Sequence, residues 1–354
     1  MNQIIRIGMD TSKSFFQVHG VDGGERPVLR RKLSRKQMIS FFEKLSPTVV
    51  GIEACGAAHH WGRLLSELGH EVKLLPPQLV KPYVKRNKND ARDAEGLCEA
   101  MSRPTMRFVR VKTAEEQAAL MLAGMRDRLV RGRTQLANSI RGYAAEFGLI
   151  APKGLAKIED LLLRTQTEES RLPAMARELF AKLAKEYAEL EVRLAELDAQ
   201  LMAWHRSNEM SRRLAQIPGI GPIGASLTVM KVQDPKAFRS GRDYAAWLGL
   251  TPKDHSTAGK LRLGVITKAG DEDLRSLLVT GAMSMIRQVK YGKGKLSPSQ
   301  ASPWLVALVK RKEPKLAAVA LANKNARICW KLMVSGQSYD ACKMLAPVAL
   351  DQAA

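Results

Sequence analysis

Residues 3–10, QIIRIGMD, form a short apolar run that ends on an acid, Asp10. The same form returns at residues 48–53, TVVGIE, which end on Glu53. Short runs rich in Ile and Val read as buried strands. Between the two, residues 14–20 (SFFQVHG), a VDGGE turn and PVLRRKLS predict two more strands, so the chain opens as a three-strand meander. Residues 35–45 and 57–68 carry helical spacing, and residues 71–75 give a further strand. This order predicts a mixed α/β domain with carboxylates at the carboxyl ends of strands, where the active groups of such sheets collect.

Residues 87–101, NKNDARDAEGLCEAM, complete the pattern. Asp90 and Asp93 are three apart and share a face if the segment is helical. Four carboxylates, Asp10, Glu53, Asp90 and Asp93, then converge. Hard oxygen ligands of this kind suit Mg²⁺ or Mn²⁺. Two such ions about 3.5–4 Å apart clamp both oxygens of an in-line phosphoryl displacement. Taken singly, an acid after a strand is a common turn former and an Asn-Asp run is a common helix cap. Taken in this order, they are the layout of a ribonuclease-H-like nuclease domain.

The chain has 354 residues, enough for two or three domains. Its 57 Lys and Arg against 35 Asp and Glu leave a net charge of +22. Residues 211–354 alone hold 23 basic and 9 acidic side chains. A fold does not need that excess, and polyanion binding does. Aromatic residues are only 5%, which argues for backbone contact over base stacking. Lys85, Arg86 and Lys88, beside the acids, are candidate phosphate contacts. No apolar run has the length of a membrane span, and the N-terminus lacks signal-peptide architecture. Cys55, Cys98, Cys329 and Cys342 show no paired spacing, so neither a zinc site nor a disulfide frame is expected. The expected location is cytoplasmic, in association with the nucleoid.

Residues 114–147 predict a long helix carrying Arg126, Arg131 and Arg133, further candidates for nucleic-acid contact. A polar linker is expected around 151–168. Beyond it Leu179, Leu183, Tyr187, Leu190, Leu194, Leu197, Leu201 and Trp204 form an apolar stripe with coiled-coil spacing. An intramolecular hairpin and a dimer seam both satisfy that stripe; a homodimer or homotetramer is favoured. Residues 214–231 contain IPGIG and read as a helix–hairpin–helix turn, with Gly219 and Gly221 leaving backbone N–H groups for phosphate. Residues 251–270, TPKDHSTAGKLRLGVITKAG, predict a flexible cationic loop with Lys253, Lys260, Arg262 and Lys268 around the hydroxyls of Ser256 and Thr257.

With these motifs in hand, the chain resembles the DEDD insertion-sequence transposases of family one-hundred-ten, also called bridge-RNA-guided recombinases. The segments that carry the resemblance are IGMDTSK, GIEACG, NKNDARDA, QIPGIGPIGA and WLGLTPKDHSTAGKLRLGVITKAGDEDLR, and they cover nearly the whole length. The resemblance implies a RuvC-like domain at 1–110 and a helical, coiled-coil dimerisation region at 111–208. It further implies a helical C-terminal transposase domain at 209–345 with a helix–hairpin–helix; the residues 346–354 themselves read as a disordered tail. It implies that Asp10, Glu53, Asp90 and Asp93 hold two Mg²⁺ or Mn²⁺ ions. It implies that Ser256 attacks a DNA phosphate and forms a covalent phosphoserine link. It implies donor and target DNA as substrates, a structured non-coding guide RNA as partner, and acids and serine meeting across two protomers. The chain departs from the family pattern at Cys55, Thr257, Ala258 and Lys253. Thr257 places a second, more hindered hydroxyl beside Ser256, and Lys253 replaces a bidentate arginine with a point charge.

Two other functions remain open on the residues themselves. In a metal-dependent endonuclease of Holliday-junction-resolvase type, water attacks and Ser256 only holds a phosphate. In a non-enzymatic RNA scaffold, the acids would have no chemical duty.

Overall fold

A computed structural model of the chain describes residues 3–84, 89–168, 171–292 and 302–340. The chain divides into two compact units, Met1–Gln117 and Ala118–Ala354.

The first unit is built on five strands: β1 Ile4–Thr11, β2 Phe15–Asp22, β3 Pro27–Ser34, β4 Val49–Glu53 and β5 Glu71–Leu75. Their order across the sheet is β3-β2-β1-β4-β5. The first three strands form the expected antiparallel meander, whereas β1, β4 and β5 run parallel. Parallel neighbours need crossovers, and helices α1 Arg35–Glu43 and α2 Ala58–Glu67 supply them. Ser34 caps α1 in a reciprocal capping box with Gln37. One sheet face carries Ile7, Met9, Val50 and Ile52, which pack with Met38 and Phe42 of α1 and Trp61 and Leu65 of α2. The other is covered by α3 Pro77–Val80 and α4 Asp90–Ala100, through Val80, Leu97, Cys98 and Ala100.

The second unit is helical among its described residues, apart from one hairpin. It holds α5 Ala114–Ala145, α6 Ile158–Thr165 and α7 Ala174–Ser207, followed by α8 Glu209–Leu214, α9 Pro222–Lys231 and α10 Gly241–Trp247. The hairpin strands β6 Pro252–Asp254 and β7 Leu263–Ile266 come next. The chain then continues into α11 Glu272–Tyr291, α12 Pro303–Arg311 and α13 Pro314–Ser335. Leu214, Tyr244, Leu278, Ile286, Leu321 and Cys329 belong to its largest core.

Helices α5 and α7 are antiparallel. Arg126 pairs with Asp198 and Arg133 with Glu191, so numbers rise on one helix as they fall on the other. The fully buried positions of α7 are Phe180, Tyr187, Leu194 and Leu201, seven residues apart, while Leu190, Leu197 and Trp204 are half-buried. The expected stripe is therefore off at its start, where Leu179 is exposed and Phe180 takes its place. The expected polar linker at 151–168 also differs: it contains α6, which buries Ile158, Leu161, Leu162 and Thr165. That spacing is one helical face, and the short length of the segment hid it. The tail 346–354 lies outside the described residues.

Candidate active site

Side chains alternate along a strand, so residues two apart share a face. Gly8 and Asp10 therefore project to the same side of β1, and Gly51 and Glu53 to the same side of β4. Gly8 and Gly51 are direct partners across the β1–β4 pair. A Cβ on Gly8 would lie 2.1 Å from the Ala94 carbonyl oxygen and 2.6 Å from the Cys98 nitrogen, both in α4. A Cβ on Gly51 would lie 2.5 Å from the end of the Met101 side chain. Helix α4 thus packs its backbone on Gly8, lays the Met101 side chain from its C-terminal end over Gly51, and brings its first turn to Asp10 at the end of β1.

Asn89 opens that turn: its side chain accepts the Arg92 N–H at 3.0 Å. Asp90 and Asp93 follow at the helix N-terminus, which favours negative charge. Carboxylate oxygens of Asp10, Asp90 and Asp93 all lie within 4.8 Å of one another. Glu53 is not part of that tight set, but its charge acts on Asp10. Burial, then the like charges of Asp93, Asp90 and Glu53, push the Asp10 carboxyl up to about 6. A cluster of carboxylates is a hard, anionic donor set, and a divalent cation relieves the repulsion that raises Asp10. The residues present fit Mg²⁺ or Mn²⁺.

That repulsion has a measurable sign. A carboxyl raised above its unfolded value stabilises the fold at low pH and loses the contribution as pH rises through the folded value. Without metal, Asp10→Asn is therefore expected to gain stability over wild type between pH 4 and 6 and to hold the gain above. Half-exposure trims it to about 1 kcal/mol. Mg²⁺ should raise the melting temperature of wild type more than that of the variant. Melting curves in chelator and in Mg²⁺ check both; equal curves across the pH range would show that neither burial nor the neighbouring acids raise the Asp10 carboxyl.

Ser256 belongs to the second unit, in the β6–β7 hairpin. The expected flexible loop is instead an ordered turn. Thr257 and Lys260 form a bridge, and Ala258 and Gly259 between them have φ of 48° and 77°. Two successive positive φ values make a hairpin turn whose twist matches its strands. Ser256 is exposed beside this turn. Its N–H donates to Asp254 Oδ1 at 2.8 Å, and its Oγ accepts the Arg262 N–H at 3.0 Å.

The predicted cations differ in what they face. Lys253, Lys260, Arg262 and Lys268 are exposed. Arg126 and Arg133 meet acids of α7, Asp198 and Glu191, along the α5–α7 hairpin. Which acids meet these arginines is set by the pairing of α5 with α7, and spacing on one helix cannot reveal that. Arg131 is 71% exposed and bridges Asp127 and Asp273. Lys85, Arg86 and Lys88 lie outside the described residues.

The IPGIG segment joins α8 to α9. Gly219 has φ 88°, and its backbone packs so closely on α11 that a Cβ on Gly281 would lie 1.8 Å from the Gly219 carbonyl oxygen. Gly221 is the N-cap of α9, with no side-chain cap and open space around it. The first glycine serves packing, and the second leaves the helix N-terminus uncovered.

A DEDD transposase family model matches residues 7–147, and a model described as the transposase IS116/IS110/IS902 family matches residues 211–295. A Sinorhizobium fredii protein with a provisional transposase name is 65% identical over 96% of this chain and 86% of its own length. The transposase for insertion sequence element IS1328 of Yersinia enterocolitica is 39% identical over 95% of this chain and 98% of its own length. The chain belongs to the IS110 family of DEDD transposases. A further transposase relative, for insertion sequence element IS1111A of Coxiella burnetii, is 38% identical over 96% of this chain and 92% of its own length.

The family gives the first unit of this transposase a RuvC-like fold, in accord with its mixed α/β sheet. A transposase acts on DNA, and the basic excess suits that substrate. Among the described residues no helix is long and apolar enough to cross a membrane. Sequence reasoning missed Gly8 and Gly51. The available signal was a glycine two residues before each strand-end acid, in GMD and GIE. It also passed over Asp254 as a partner of Ser256.

Proposed function

We propose that this transposase cuts and rejoins DNA through a covalent bond between Ser256 and a DNA phosphate, at a site where Asp10, Glu53, Asp90 and Asp93 hold divalent metal. The observation that carries the acid half is the approach of Asp10, Asp90 and Asp93 to within 4.8 Å. The serine half is supported by an exposed hydroxyl that accepts the Arg262 N–H, on a hairpin rich in exposed cations. When bound, two Mg²⁺ or Mn²⁺ ions would polarise the phosphate and favour the alkoxide of an attacking hydroxyl.

In the first step Ser256 Oγ bonds to phosphorus as the bond to the departing strand's oxygen breaks. In the second, a hydroxyl of the joining strand attacks the same phosphorus and frees Ser256. Lys260 and Arg262, on the serine's own hairpin, add positive charge for the phosphate oxygens. Lys253, Lys268 and Arg131, with the open helix N-terminus at Gly221, are proposed contacts along the nucleic-acid backbone; Gly219 shapes that turn. Lys85, Arg86 and Lys88 are proposed contacts beside the acids. The domain limits at 110, 208 and 345, the coiled-coil character of the middle helices and a helix–hairpin–helix at 214–231 belong to the same proposal. So does a homodimer or homotetramer that brings serine and acids to one phosphate. The +22 charge also suits a structured guide RNA, whose pairing would choose donor and target DNA.

A second reading has its own support. Carboxylates that hold metal can direct water instead, as in a Holliday-junction-resolvase-like endonuclease, and the DEDD family model spans the residues that carry those acids. Trapping the reaction under denaturing conditions separates the two. A protein–DNA species that survives denaturation, with its phosphorylated peptide mapping to Ser256, is expected. Cleavage with no such species establishes water as the nucleophile.

A further inference from the structure

We infer that the sheet face beside the acids holds one unpaired strand of the DNA being cut, with Lys32 and Arg30 on its phosphates and Phe15 against a base. The inference rests on the acids being the place where DNA is cut, and it holds whether serine or water attacks. Strand register brings these groups together. Asp10 is opposite Gln17 on β2, and Gln17 is opposite Lys32 on β3. Directly opposed residues of antiparallel strands share a face. Lys32 therefore lies on the face of Asp10, two strand spacings or about 10 Å away. In the next row on that face, Gly8 is opposite His19 and His19 is opposite Arg30. Arg30 and Lys32 are thus about 7 Å apart along β3, a step close to one nucleotide of an extended strand.

Helix α4 covers only part of this face. It packs on Gly8, and His19 and Val21 of β2 are buried. Gln17 is half-buried, and Phe15, Arg30 and Lys32 are exposed. Among the described residues neither Arg30 nor Lys32 is paired with an acid, and the Lys32 ammonium lies 4.3 Å from the centre of the Phe15 ring. Cations without counter-charges, on the face that carries the acids, suit a polyanion that continues past the point of cutting. The Phe15 ring is 47% exposed and offers a stacking surface to an unpaired base, whose face is not already covered by its neighbours. Arg31, between the two cations, is on the opposite face, over Phe41 of α1. Beyond Arg30, Arg6 pairs with Glu25 and Arg103 with Glu99, so the run of open positive charge ends there.

The test uses the full-length protein, in Mg²⁺, and a single-stranded oligothymidylate carrying one photoreactive iodouracil. The readout is the cross-linked peptide, so it reports binding at this face and requires no cutting. The expected result is a cross-link that maps to Phe15. Its yield, at limiting oligonucleotide, should fall about fivefold at 0.1 M salt in Lys32→Gln and again in Arg30→Gln, because each single-strand phosphate contact adds about 0.7 to the salt slope. Arg31→Gln removes the same charge from the opposite face and should leave the yield unchanged. An equal fall in Arg31→Gln would reduce the effect to overall charge and overturn the inference. So would cross-links confined to peptides outside residues 15–34, or an unlabelled duplex of the same sequence competing as well as the unlabelled single strand. A cross-link that appears only after copurifying RNA is digested would put that RNA on this face and overturn the assignment to DNA. Metal-dependent cutting that survives Asp10→Asn would overturn the acid-site reading instead, and a separate cleavage assay reads it.

Discussion

Valine at position 8 is expected to unseat α4 from the sheet and abolish strand cleavage. The first atom of any side chain there would lie 2.1 Å from a backbone oxygen and 2.6 Å from a backbone nitrogen of α4. Backbone cannot turn aside as a flexible side chain can, so the helix must move bodily. Overpacking of a tight interior costs about 3 kcal/mol, and here the strain falls on the element that carries Asp90 and Asp93. A displacement of roughly 1 Å in positioning groups costs about 100-fold in rate. Gly8→Ala is expected to show the same loss in milder form, because the clash begins at Cβ. Gly142→Ala in α5 is the control: nothing lies within 4 Å of its Cβ, and alanine in a helix stabilises by about 1 kcal/mol. Melting curves and a cleavage assay read both effects. A Gly8→Ala protein with wild-type stability and cleavage would mean that α4 does not rest on β1.

Alanine at position 256 is expected to remove the covalent protein–DNA adduct entirely while leaving the fold and DNA binding in place. The side chain is exposed, so its loss opens no cavity, and the Arg262 N–H it leaves behind can turn to water. A change in stability under about 1 kcal/mol is expected. Thr257→Ala should retain adduct formation within about threefold, because that hydroxyl sits on a β-branched carbon and lacks the backbone N–H that Ser256 Oγ accepts from Arg262. The reverse outcome, adduct lost in Thr257→Ala and kept in Ser256→Ala, would transfer the nucleophile to the threonine. The pair of variants is read on denaturing gels, with DNA binding measured separately by gel shift.

Much of the first unit was legible before any coordinates. The runs ending at Asp10 and Glu53 are short, β-branched and flanked by turn residues, and each became a strand within a residue or two of its expected end. Asp90 and Asp93 do lie in the first turn of a helix. Elsewhere local pattern misled. The 151–168 segment was read as polar because its one helical face spans only eight residues. The 251–270 segment was read as mobile because it is cationic and glycine-bearing, although Ala258 and Gly259 form an ordered turn.

Periodicity and punctuation along the chain are local properties, and from them alone came the strands, the long helices, the family resemblance and the order of the acids. Proximity between distant residues is not local. That the backbone of α4 sits on Gly8 and its Met101 side chain over Gly51, bringing residues 90 and 93 beside residue 10, follows from the close packing of a helix on a sheet lacking side chains at two opposed points. That Arg126 and Arg133 are matched by acids more than fifty residues away, while Lys260 and Arg262 stand exposed, was likewise decided by which helices pair. Charge can be counted along a chain, but what each charge faces is set only when the chain has folded.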